Sequence, residues 1–161
     1  MTLRLGPASQ RAVDTLAAQG MPGYLKPHIE MPYLPSDLTA VGDEDLMGLY
    51  SLLTAWCDYV GAQVSAAQVD ERAAEKRLAH SENLLLSASG DRGDRVTFAK
   101  AQIAVDPEIV ALRQDIEEQH AYRKMVESLA ANLERDSSLV SRELTRRTAT
   151  RSRTSPSRWS A

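Results

Sequence analysis

The chain has 161 residues, with 19 Lys or Arg against 22 Asp or Glu and a formal net charge of −3. One Phe, two Trp and five Tyr supply few of the large rings that fill a thick globular core. The single cysteine, Cys57, excludes an intramolecular disulfide and fits a reducing compartment.

No stretch approaches the roughly 18–20 consecutive apolar residues needed to cross a bilayer. The opening MTLRLGPASQRAV lacks the apolar run of a signal peptide. A soluble, cytoplasmic protein is the expectation. Its charge is unevenly placed: residues 142–161 carry +5 and residues 1–141 carry −8. An acidic body with a basic end suggests that the end meets a polyanion first.

Residues 1–42 are punctuated by Pro and Gly. SQRAVDTLAAQ (9–19) predicts a short helix closed by Gly20. Pro22, Pro27, Pro32 and Pro35 then forbid regular helix. Tyr24, Leu25, Ile29, Tyr33 and Leu34 among them describe an extended arm that lies on something apolar.

Asp43, Glu44 and Asp45 place negative charge in a first helical turn, where the helix dipole favours it. Leu46, Tyr50, Leu53, Cys57, Val60, Val64, Ala67, Ala74, Leu78 and Leu85 follow a three-four spacing, interrupted only by Glu71 and Ser81. That stripe predicts a long helix over 43–86 with a coiled-coil-like seam. SASGDRGD (87–94) is a turn signal, and RVTFAKAQIAV (95–105) reads as a short connecting helix capped by Asp94.

Asp106-Pro107-Glu108 is a fresh start, with Asp as cap and Pro at the first helical position. Leu112, Ile116, Tyr122, Val126, Leu129, Leu133, Val140 and Leu144 carry a second long helix to about Arg147. Each long helix spans on the order of 60 Å. The expected fold is all-α. A long antiparallel helical hairpin fills 43–147, with a short connecting helix, an extended Pro-rich arm in 1–42 and a disordered Arg/Ser-rich tail over 148–161.

Two such helices cannot hide both apolar faces from water, because Leu49, Leu52 and Trp56 widen the first seam. Homo-oligomerisation is expected. Its candidate residues are Leu46, Leu49, Tyr50, Leu53, Trp56, Val60, Val126, Leu129, Leu133 and Val140.

Catalytic signatures are missing from the sequence. Glu117 and His120 form Glu-x-x-His, but the second such pair and the two further glutamates of a di-iron bundle are lacking. Cys57 sits on the apolar stripe without a Cys/His signature. SGDRGD lacks the Lys-Ser/Thr and flanking strand of a phosphate-binding loop. Neither an enzyme, a cofactor nor a metal is expected.

Basic residues do group. Arg92, Arg95 and Lys100 flank the turn, Arg123 and Lys124 lie mid-way along the last helix, and Arg142, Arg146, Arg147, Arg151, Arg153 and Arg158 form the basic end. Arginines spaced by Ser and Thr make a polycation suited to phosphate contact, and Trp159 adds a ring for base stacking. These eleven residues are the candidate nucleic-acid contacts.

DEDLMGLYSLLTAWCDYV, SASGDRGDR, VDPEIVALRQDIEEQHAYRKMVESLAANLERD and SLVSRELTRR occur here in an order similar to that of small phage recombination mediators of the UvsY type. The resemblance covers about residues 43–147. It implies a homo-oligomeric ring that binds single-stranded DNA and helps load a recombinase onto DNA coated by single-strand-binding protein. The family pattern has more lysine and fewer acids along its arms, which shifts weight here to Arg92, Arg95, Lys100 and the tail. Two other readings stay open: a virion assembly protein (capsid scaffold or head-completion subunit), and a small DNA-packaging subunit.

Overall fold

The computed structural model describes residues 4–21, 25–88 and 100–154, with side chains as far as Arg151. The described chain is helical and contains no strand. Helix α1 spans Pro7–Ala18, a 3-10 turn Leu38–Ala40, α2 Asp43–Ala88 and α3 Pro107–Thr154. Residues 100–104 are also helical. The two long helices, α2 and α3, pack against each other. Of the turn expected at 87–94, Ser87 and Ala88 belong to α2 instead, and 89–94, with the Asp94 cap, lie outside the described residues.

Local chemistry accounts for the helix ends. Pro7 opens α1, where its missing N–H costs nothing. At the other end Met21 N–H bonds to Leu16 O and Gly20 N–H to Ala17 O, both at 3.0 Å. This pair of bonds closes the helix as a Schellman turn. The turn requires the left-handed φ of +79° at Gly20, which favours glycine. Asp106 caps α3 as expected: its Oδ1 accepts from Glu108 N–H at 2.9 Å and Ile109 N–H at 3.3 Å. Helix α3 runs seven residues beyond the expected end at Arg147. Arginines near a helix C-terminus are favoured by its dipole, and none of residues 148–154 is Gly or Pro.

The chain divides into two compact units. The first comprises Met1–Leu3, Tyr24–Gly61 and Ser128–Ala161. Its buried apolar side chains are Leu46, Leu53, Trp56, Val60, Leu133 and Val140. Each fully buried aliphatic side chain contributes about 1.5–3 kcal/mol. The arm of this unit has no regular helix over 25–37. It lies on Trp56, whose Nε1–H donates to Ile29 O at 3.2 Å while Lys26 Nζ stands 5.6 Å from the ring centre. Leu25, Ile29 and Tyr33 of the same arm are exposed.

The second unit comprises Arg4–Gly23 and Ala62–Glu127. Ala66, Ala67, Ala74, Ile103 and Ile109 are buried in it, together with Gln63, Glu71 and Ser9. Partners run in opposite senses along α2 and α3: Gln63 with Tyr122, Arg77 with Asp115, Glu82 with Arg113. The helices are therefore antiparallel in this unit.

Asp70 docks α1 onto α2. Its carboxylate accepts from Gly6 N–H at 2.8 Å, Ser9 N–H at 3.0 Å and Ser9 Oγ–H at 2.5 Å. A Cβ on residue 6 would stand 2.6 Å from that carboxylate, so the approach requires glycine.

Candidate nucleic-acid interface

The structure separates the candidate arginines into those held by acids and those facing water. Arg123 belongs to the first group. Its Nε donates to Glu71 Oε2 and its Nη1 to Glu127 Oε1, and its side chain is only 17% exposed. Glu71 also meets His120 Nδ1 at 2.7 Å. The Arg123 hydrogen bond, ahead of the His120 contact, holds the Glu71 carboxyl below its usual range against the opposing effect of burial. The interruption read in the α2 stripe is thus a buried charge whose partners come from α3.

Lys124 pairs with Glu127 at 3.2 Å and stays largely exposed, and Lys100 is exposed. Arg92, Arg95 and Arg158, and the side chain of Arg153, lie outside the described residues.

Arg147, one of the candidate contacts, folds back from the helix end. Its Nη1 reaches Asp43 Oδ1 at 2.6 Å and Val41 O at 2.8 Å, its Nη2 Leu38 O at 2.8 Å and Thr39 O at 3.2 Å, and its Nε Glu143 Oε1 at 2.7 Å. The fan of five N–H donors explains why one side chain can tie α3, the 3-10 turn and the start of α2. Glu143 also takes both ends of Arg146, and hydrogen bonds from Arg146 and then Arg147 hold its pKa down at about 2. Arg151 pairs with Asp43. Arg146 and Arg151 nonetheless keep 58% and 75% of their side chains exposed.

Arg142 is exposed and has no acidic partner among the described residues. It borders an open cleft of about 270 Å³ with Tyr50, Ser137, Ser138 and Ser141. These serines are not among the candidate contacts named from the sequence. Their signal was the four-residue spacing of Ser137 to Ser141 and Ser138 to Arg142, which puts them on neighbouring turns of one helix.

The oligomerisation candidates are largely occupied within one chain. Leu46, Leu53, Trp56, Val60, Leu133 and Val140 are buried, Leu49, Tyr50 and Val126 are half-buried, and Leu129 is exposed. Exposed apolar side chains that the seam did not absorb include Met47, Leu84, Val105, Val110, Met125 and Leu139.

Among the described residues, no group of three His, Cys, Asp or Glu side chains is placed to hold a metal ion. Burial, followed by the charges of Glu134, Asp58 and Asp136, pushes the half-buried Cys57 thiol up, so it stays protonated near neutrality. Among the described residues no helix is long and apolar enough to cross a membrane. Comparisons with family models, curated proteins and solved structures found no match.

Proposed function

We propose that this chain is a non-enzymatic, homo-oligomeric accessory protein that binds single-stranded DNA through its basic end. One observation carries the reading. Arg142, Arg146, Arg147, Arg151 and Arg153 of the basic end fall on the last turns of α3, where Arg146 and Arg151 expose most of their side chains. Several weak phosphate contacts become strong when subunits combine them, and they weaken steeply with salt. Met125, Leu129 and Leu139, exposed on α3, supply apolar surface for association with other copies.

Within this reading, α2 and α3 form the arms of a helical hairpin, and the chain serves in the phage-infected host cytoplasm as a recombination mediator. A recombinase and single-strand-binding protein are its partners. Light scattering of the full chain, with and without a single-stranded oligonucleotide, tests the proposal. Oligomers that bind the strand at low salt and release it as salt rises support it; a monomer indifferent to the strand overturns it.

The arm favours a second reading, a virion assembly protein. Leu25, Ile29 and Tyr33 expose 73%, 66% and 93% of their surface on a segment without helix, as suits an arm that laps a neighbouring subunit. Co-purification discriminates: capsid protein for this reading, recombinase or single-strand-binding protein for the first.

A further inference from the structure

The cleft beside Arg142 has the composition of an anion site. Tyr50 on α2 and Ser137, Ser138, Ser141 and Arg142 on α3 line it, all within the first unit. Its lining includes no carboxylate. The two acids adjacent to it in sequence are engaged elsewhere: Asp136 accepts from Arg135, and Glu143 from Arg146 and Arg147. Among the described residues, the hydroxyls of Tyr50, Ser137, Ser138 and Ser141 have no hydrogen-bond partner, and neither does the Arg142 guanidinium.

Four hydroxyl donors and one planar fork of N–H donors are thus gathered at one opening. An apolar ligand would leave every one of them unsatisfied. A cation would meet the Arg142 charge. A planar carboxylate would satisfy the fork but leave donors arranged around it idle. A tetrahedral oxyanion offers acceptors in several directions, and charge-assisted bonds from arginine to phosphate are among the stronger ones.

We propose that this cleft is a phosphate site. Resting on the nucleic-acid reading above, it seats one backbone phosphodiester, which makes Arg142 and the three serines part of the strand's path along α3.

Two titrations of the isotope-labelled full chain separate the site from that reading. In the first, inorganic phosphate is added against chloride at matched ionic strength while amide and Arg side-chain resonances are followed. Phosphate-specific shifts centred on Ser137–Arg142, absent in R142Q, are expected. A cleft unmoved by phosphate overturns the site, whatever the strand does.

In the second, a labelled single-stranded oligonucleotide is titrated by anisotropy. R142Q should weaken binding about three- to tenfold at low salt and lower the salt slope by about 0.7, the share of one single-strand phosphate contact. R142K should keep the slope, and Y50F should weaken binding without changing it. Strand binding identical in wild type and R142Q removes the phosphodiester from the cleft and overturns that assignment while leaving the nucleic-acid reading intact. A wild-type chain that shifts with phosphate but ignores the strand upholds the site and refutes the nucleic-acid reading instead.

Discussion

Arg147, 104 residues downstream of Asp43, donates to its carboxylate over 2.6 Å and continues past it to the carbonyls of Leu38, Thr39 and Val41. One guanidinium therefore closes the first unit, with Glu143 orienting it from the preceding turn of α3. Lysine is not an equivalent replacement, because a compact ammonium cannot spread five donors over these acceptors. Both R147A and R147K should lower the melting midpoint by about 5 °C or more, read by circular dichroism. Recovery of wild-type stability in R147K would show that charge alone matters.

Acid should unfold the chain through a small set of carboxylates. Hydrogen bonds from Arg146 and Arg147 bring Glu143 from its ordinary 4.5 down to about 2. Bonds from Arg147 lower Asp43, and bonds from Arg123 lower Glu71 and Glu127. A depressed carboxylate binds its proton more weakly when folded than when unfolded. Its contribution is complete above the unfolded value and disappears as pH falls towards the folded one. Urea midpoints should therefore hold from pH 7 to about pH 5 and decline between about 4.5 and 2. E143Q should start lower and decline less. An acid limb as steep in E143Q as in wild type would remove Glu143 from the explanation.

Much of this architecture is legible in the sequence, because caps and stripes are local. Asp106-Pro107 starts α3, Gly20 ends the turn after α1, and Leu46, Leu53, Val60, Ala67 and Ala74 of the predicted stripe are all buried. What escaped depends on register between distant segments. Nothing near Glu71 reveals that Arg123 and His120 will face it, and nothing near Arg147 reveals three carbonyls more than a hundred residues away. The basic end therefore reads as unanswered charge, although Glu143 and Asp43 answer three of its arginines. The α1 dock was invisible for the same reason, since Asp70 caps a helix that begins 63 residues earlier.

The Glu71–Arg123 pair should matter more for matching the helices than for net stability. Removing either partner alone strands a largely buried charge, whereas replacing both with apolar residues removes the desolvation cost along with the attraction. E71L and R123L should each lower the urea midpoint, and E71L/R123L should recover most of the loss. Losses that simply add in the double variant would mean that the two side chains are not energetically coupled.

Asp70 should control whether α1 stays docked. Only Ser9 of α1 is buried, and Leu16 remains exposed, so little apolar burial holds this helix. Burial raises the Asp70 pKa, but hydrogen bonds from Ser9 and Gly6 outweigh it and keep the group ionised. D70A should speed amide exchange and proteolysis within residues 4–21 while leaving amides of the α2–α3 pair as protected as before. Uniform loss of protection along the chain would show instead that α1 is an integral part of the cooperative core.

Burial and self-association should respond to different substitutions on these helices. Leu53 is 1% exposed, so L53A deletes packed methyl groups and should cost about 2–4 kcal/mol in urea unfolding. Met125 is 74% exposed, and M125S should change the stability of one chain by less than about 0.5 kcal/mol. If copies associate over the exposed face of α3, M125S should instead shift the light-scattering mass towards monomer at a given concentration. The reciprocal pattern is the decisive comparison: a core residue moves the urea midpoint with or without assembly, whereas an interface residue moves the concentration dependence. A mass unchanged in M125S and in L139S would place association elsewhere, leaving the arm with Leu25, Ile29 and Tyr33 as the next surface to substitute.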